Sequence, residues 1–192
     1  MSELLTPRGD YGSASFSRRN RMRRAVWGLA WALLFRPTPR PAHRWRAGIL
    51  RLFGAKVERG THVYPRVRIW APWNLDLREE CGVGDDAILY SMDAITIGRR
   101  AVVSQGAHLC CGTHDYDDPD FPLRAYPIVV GDRAWICAEA FISPGVQIGE
   151  GAVVGARSVV TRDIEPWTVC AGSPCRVVRN RSACEKAGGF EG

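Results

Sequence analysis

Every sixth residue from Ile97 is aliphatic: Ile97, Val103 and Leu109, then, after an interruption, Val130, Ile136, Ile142, Ile148, Val154 and Val160. The next position is often glycine (Gly98, Gly131, Gly149, Gly155). The position four beyond each aliphatic is small or branched, as at Ala101, Ala107, Ala134, Ala140, Val146, Ala152 and Ser158. Six residues suffice for one short strand and a corner, and three such units close a triangular coil. The aliphatic residue then points into the prism, the small one fits near a vertex, and glycine is expected to supply unusual corner dihedrals. Successive coils stack at the inter-strand spacing of about 4.8 Å, in parallel ladders without crossover helices. The pattern predicts a mainly β protein built as a parallel β-helix.

The same phase runs earlier through Val57, Val63, Ile69 and Leu75, then in a shifted register through Leu77, Val83, Leu89 and Ile95. Slips of two residues at 75 to 77 and 95 to 97 read as corner insertions. Between His114 and Pro127 the repeat stops, and DYDDPDFPLRAYP carries three prolines and four acidic residues. That segment predicts a loop leaving the prism, where function is commonly placed, a tolerated insertion being the alternative. Upstream, the apolar run Ala25 to Phe35 (AVWGLAWALLF) predicts a helix too short to span a bilayer. Arg36 and Pro37 follow it, where a signal peptide would show small residues and a cleavage site. The helix either packs on the main domain or a neighbouring subunit, or docks on a membrane surface. RPTPRP (36–41) breaks it, and Trp45, Ile49, Leu52 and Phe53 predict a short amphipathic second helix ended by Gly54. Residues 1–17 are polar and read as a loose arm. The chain thus divides into an N-terminal arm and helices (1–56), a β-helix (57–165) with a projecting loop (115–127), and a C-terminal tail (166–192).

Charge changes the picture only at the front. The net charge is +6, and Arg18, Arg19, Arg21, Arg23, Arg24, Arg36, Arg40, Arg44, Arg46 and Arg51 all precede the repeats. Such a front end suits nucleic acid, anionic lipid, a phosphorylated ligand or a merely solvated helix face, and charge alone does not choose. The seven cysteines form no CxxC pair, and adjacent Cys110 and Cys111 are poorly placed to bridge. They read as small buried thiols of a protein in a reducing, cytoplasmic compartment.

Of four histidines, His43, His62, His108 and His114, only His114 stands where a coil ends and the projecting loop begins, in Gly112-Thr113-His114-Asp115-Tyr116. Imidazole exchanges a proton near neutral pH, so His114 is the candidate general base, with a plain surface histidine as the alternative. A histidine-rich metal site is not expected, because His108 and His114 stand one hexad apart with no third histidine in the regular coils. His108 reads as a solvent-facing corner residue.

The stretch ITIGRRAVVSQGAHLCCGTHDYDDPDFPL, followed by WICAEAFISPGVQIGEGAVVGARSVVTRDIEPWTVCAGSPCRVVR, resembles the hexapeptide-repeat sugar O-acetyltransferases, most nearly the colanic-acid-type exopolysaccharide enzymes. The likeness extends back through LRLFGA (50–55) and Trp70-Ala71-Pro72-Trp73, so it covers residues 16–180. It departs from the maltose and galactoside acetyltransferases at the front, where a Trp-rich segment replaces their helical module. The resemblance implies a left-handed β-helix and a homotrimer with each active site between neighbouring prisms. It implies that His114 takes a proton from a sugar hydroxyl as the oxygen attacks the thioester of acetyl-CoA, giving an oxyanion that collapses with loss of CoA thiolate.

Position by position, it implies that Trp135, Ala138, Ala156, Thr161, Arg162, Arg176 and Arg179 bind CoA, Arg162 replacing the more common lysine. For Trp135, packing along the pantetheine and plain corner packing both stand. Ser91 and Asp93, in the coil before the histidine, are candidate sugar contacts. The acceptor implied is a sugar or glycolipid-linked intermediate of surface polysaccharide synthesis, with no nucleic-acid partner and no metal. Residues 18–35 are the candidate for peripheral membrane contact. An amino acid or antibiotic acceptor is the alternative among enzymes, and a silent scaffold the alternative outside them. Retention of His114, Arg176 and Arg179 argues against the scaffold.

Overall fold

The computed structural model describes residues 15–182 and winds them into a three-sided prism with two helices, α1 (Arg18–Ala30) and α2 (His43–Leu52), at its start. One face carries, in ladder order, the strands Lys56–Val57, Leu75–Leu77, Ile95–Ile97, Ile128–Val130 and Gln147–Ile148. The second carries His62–Val63, Gly82–Val83, Val102–Val103, Trp135–Ile136, Val153–Val154 and Thr168–Ala171, and the antiparallel strand Arg176–Asn180 closes its edge. The third carries Arg68–Ile69, Ile88–Tyr90, His108–Cys110, Phe141–Ile142 and Val159–Val160. Five coils are complete and a sixth is partial.

The period-six aliphatics form the core. Val57, Leu77, Ile97, Val130 and Ile148 stack in one column, and Val63, Val83, Val103, Ile136 and Val154 in the next, all buried. Each such side chain contributes about 1.5–3 kcal/mol by leaving water. The slips at 75–77 and 95–97 are corner insertions, as expected, but the insertions lie upstream of the slip positions themselves. Leu75 and Leu77 belong to one strand with both ends buried, as do Ile95 and Ile97. The extra residues lie in the preceding corners, at the 3-10 turn Pro72–Asn74 and at residues 91–94.

The glycine expectation is also corrected. Gly98, Gly131, Gly149 and Gly155 do not have positive φ; a Cβ at Gly98 would lie 2.6 Å from Asp132 N and from Gly131 C of the next coil. At these positions glycine lets backbone stack on backbone. The left-handed conformation falls instead three residues beyond most inward aliphatics, where Gly60, Gly106, Gly145 and Gly151 adopt it and so do the charged residues Glu80, Asp86, Arg100, Arg133, Glu139 and Arg157. Several of the charged ones pair along the corners, Arg100 with Glu80 (2.5 Å) and Arg157 with Glu139 (2.6 Å).

One side of α1 packs on the first coil, where Trp27 Nε1–H donates to Ile69 O (2.7 Å). After a π-helical turn begins at Trp31, its indole donates to Val67 O (2.8 Å). Phe16 packs against Trp70 with its ring tilted (4.8 Å between centroids), so the end of the expected loose arm is packed; residues 1–14 and 183–192 lie outside the described residues. No described helix is long and apolar enough to cross a membrane.

The predicted face of α2 is half wrong. Ile49 is buried, but Trp45 and Leu52 are exposed, and Arg46, Ala47 and Leu50 take the inner side. Arg46 is fully buried because its guanidinium is saturated: it donates to Val63 O, Thr38 Oγ1, Pro39 O and Arg40 O. Those acceptors come from the proline-rich linker and the first coil. A buried charge is tolerated when every donor is used.

Candidate active site

All the irregular corners stand at one edge of the prism, where the third face turns into the first. The hairpin Gly112–His114 with Leu123–Ala125 leaves from this edge between the third and fourth coils. Its neck is closed by Cys111 N–H to Tyr90 O (3.2 Å) and Tyr126 N–H to Cys111 O (2.9 Å). A Cβ at Gly112 would meet Met92 Sδ and Tyr90 Cε1 (3.0 Å), so the chain needs glycine to leave flat against the coil below. Burial pushes the Cys111 thiol up to about 12, which leaves a packing residue rather than a nucleophile.

His114 ends the outgoing strand opposite Leu123 and is exposed. Its Nδ1 lies 2.9 Å from Phe121 O. A carbonyl can only accept, so this contact requires the proton on Nδ1 and leaves the Nε2 lone pair free. The Phe121 ring stacks on the imidazole at 4.3 Å and 11°. Phe121 reaches both positions with φ of 44°, a conformation that costs a non-glycine residue about 1–2 kcal/mol. The turn is braced by Asp115 N–H to Pro122 O (3.0 Å), Phe121 N–H to Asp118 O (2.9 Å) and an Asp115–Arg124 ion pair (3.8 Å). Asp115 therefore serves the hairpin.

Ser91 does not line an open pocket. It is fully buried, and its hydroxyl accepts from Ala71 N–H and donates to Ala71 O, both at 3.0 Å, tying one corner to the next. Asp93 is half-buried at the same corner, with one carboxylate oxygen accepting Ala94 N–H (2.7 Å). Thr161 and Arg162 follow the strand Val159–Val160 at this edge, two coils beyond the His114 hairpin, and are exposed.

A second group lies on the second face and the corner beyond it. Trp135 stands in a strand, 47% exposed, and not in corner packing; its Nε1–H donates to Ser104 Oγ (2.9 Å). Ala138 and Ala156 follow in stacked corners joined by Arg157 N–H to Ala138 O (2.9 Å). Arg176 and Arg179 lie on the exposed edge strand of the same face. Among the described residues the Arg176 side chain bonds only to Cys175 O (3.2 Å) and that of Arg179 only to Asn180 O (3.0 Å). Among the described residues none of Arg162, Arg176 and Arg179 pairs with a carboxylate, so each keeps its charge available to an anion. One prism thus brings Trp135, Ala138, Ala156, Arg176 and Arg179 together on one side and His114, Asp93, Thr161 and Arg162 on another, with the third face between.

His108 is not a corner residue. It lies in a strand of the third face, edge-on to Phe141 (5.2 Å) and Tyr90 (6.5 Å). Its Nε2 is enclosed without a hydrogen-bond partner among the described residues, and burial lowers its pKa. The described residues bring no three His, Cys, Asp or Glu side chains together as a metal group. Sequence reasoning missed Phe121 and Ser104. The first carried a faint signal, an aromatic between prolines in the loop; the second, 31 residues from its tryptophan, carried none.

The family model for the bacterial transferase hexapeptide (six repeats) matches residues 127–162. A putative colanic acid biosynthesis acetyltransferase, WcaF, of Escherichia coli K12 is 40% identical over 185 residues, 96% of this chain and 98% of the relative. Among solved structures, a maltose O-acetyltransferase from Clostridium difficile 630 superposes with a TM-score of 0.79 at 27% identity, covering 87% of this chain and 90% of that one. A galactoside acetyltransferase in complex with coenzyme A superposes with a TM-score of 0.73 at 25% identity, covering 87% and 84%.

Proposed function

Because the chain belongs to the hexapeptide-repeat acetyltransferases, in the group of the colanic acid biosynthesis enzymes, we propose that it O-acetylates a sugar in exopolysaccharide or other surface-glycan synthesis, with acetyl-CoA as co-substrate. The observation that carries this reading is the His114 imidazole with Nδ1–H bound to Phe121 O and Nε2 free on an exposed hairpin. Nε2 takes the proton of a sugar hydroxyl as that oxygen attacks the acetyl carbonyl. The Phe121 carbonyl then faces the N–H of a positively charged ring and stabilises it. A positioned base of this kind contributes about 10²- to 10⁴-fold.

Acetyl-CoA supplies the thioester carbonyl. The residues expected to hold it have the chemistry to do so. Ala138 and Ala156 leave room against the corner, Trp135 offers an exposed ring, and the uncommitted Arg162, Arg176 and Arg179 suit phosphates, with Thr161 beside Arg162. Asp93 remains the sugar contact at the hairpin root, without Ser91. The two groups lie on different sides of one prism, which supports a homotrimer. A head-to-tail ring sets one edge of each prism against another side of its neighbour and so completes the site. The outward side chains of the third face, Ile88, Phe141 and Val159, are only half-exposed and apolar, which suits such packing.

Six free cysteines among the described residues, three of them buried, support a reducing cytoplasmic setting. Residues 18–35 make peripheral contact with the inner membrane face, where a lipid-linked acceptor is presented. The deciding experiment is acetyl transfer to sugar acceptors by the purified protein and by His114→Ala, with acetyl-CoA titrated calorimetrically into both. Loss of transfer by about 10²-fold or more with unchanged affinity is expected. Undiminished turnover in the variant would remove His114 from the mechanism.

A further inference from the structure

The two helices leave an apolar surface uncovered. On α1, Met22, Val26 and Leu29 are 67%, 54% and 62% exposed, and Leu33 continues the line through the following turn. Steps of four, three and four residues put them on one side, opposite the buried Trp27. The second helix extends the surface with exposed Trp45 and Leu52, and Trp45 Nε1–H ties it to the first by donating to Leu34 O (2.9 Å). Between α1 and the end of α2 runs a groove of about 600 Å³ lined by Met22, Val26, Leu52 and Trp73, with Arg19 and Arg23 also along it. Soluble monomers seldom expose an apolar patch beyond a few hundred Å² without a partner for it.

Charge identifies the partner. Residues 18–57 hold eleven of the chain's 26 Lys and Arg and no acidic residue, leaving 15 basic against 20 acidic groups elsewhere. A second copy meeting this surface face to face would set arginine against arginine. A bilayer containing anionic lipid offers apolar depth and opposite charge together, at about 1 kcal/mol for each basic residue near its surface. We infer that both helices form one docking platform for an anionic phospholipid bilayer. The apolar band of Met22, Val26, Leu29, Leu33, Trp45 and Leu52 enters the interfacial layer, and exposed Arg18, Arg19 and Arg44 meet headgroup phosphates. This rests on the reading of residues 18–35 as the membrane contact and extends it to the second helix and to lipid charge.

The test sediments the full-length protein with vesicles of phosphatidylcholine alone and of phosphatidylcholine with about 30% phosphatidylglycerol. Expected are binding at least about tenfold stronger to the mixed vesicles, and a loss of about fivefold or more in the double variant Trp45→Glu, Leu52→Glu. Its solution mass and its transfer to a water-soluble acceptor should match the parent protein. Failure of the unaltered chain to bind either vesicle sinks the membrane contact of residues 18–35 and the platform with it. Equal binding to both vesicles, or full binding by the double variant, overturns the platform while leaving that first contact standing. A changed solution mass in the variant would make another copy the occupant and overturn the proposal.

Discussion

His114 and Phe121 meet twice: the imidazole Nδ1–H donates to the Phe121 carbonyl at 2.9 Å, and the two rings stack at 4.3 Å. One loop residue thus sets the tautomer and backs the ring of the proposed base. Phe121→Ala keeps the carbonyl but removes the stacked ring. We expect kcat to fall about tenfold, equivalent to about 1.4 kcal/mol, with KM for acetyl-CoA little changed and with recovery in Phe121→Tyr. Steady-state kinetics on the three proteins decide it; full kcat in the alanine variant would reduce Phe121 to loop packing.

Ser104 acts on the other group of residues. It is the acceptor for Trp135 Nε1–H, so Ser104→Ala leaves an exposed indole without its anchor. The expected outcome is a rise of about threefold in KM for acetyl-CoA at unchanged kcat, the pattern of weakened ground-state binding. An effect on kcat alone would show that Trp135 does not contact the acyl donor.

The two corner positions differ in what they demand. Gly98→Ala drives a methyl into Asp132 N and Gly131 C, and we expect about 2 kcal/mol or more of destabilisation. Arg100→Gly relieves a φ of 55° and loses only an exposed pair with Glu80, so the two effects should largely cancel. Thermal unfolding of both variants measures the contrast, and equal losses would contradict the stacking account.

Burial lowers the pKa of His108 below its ordinary 6.5, and desolvation lowers that of His43. As pH falls through the ordinary histidine range the unfolded chain takes up these protons first, so stability drops until the folded-state values are passed. His108→Phe removes one of the two groups and also the enclosed, unbonded Nε2. Its Tm should exceed the parent's at neutral pH and fall less between about pH 7.5 and 5.5. An unchanged pH slope would mean that His108 is solvated in the folded protein.

What the sequence by itself determined is the coil. A period of six in aliphatic residues admits one economical burial, and between the corner insertions and the hairpin the aliphatics from Val57 to Val160 lie where that period demands. His114 was legible for the same reason, as the residue where the period stops. The tertiary structure decided what depends on partners distant in sequence. Glycine serves backbone stacking as readily as positive φ, and only the neighbouring coil shows which is needed at Gly98. Arg46 is buried because carbonyls from the linker and the first coil converge on it, so α2 turned a face that apolar spacing did not indicate. Ser91 fits a sugar contact by residue type and position, but Ala71, twenty residues earlier, occupies its hydroxyl. Periodicity reports which side of the chain faces inward. Hydrogen-bond partners and close approaches are properties of the stacked coils.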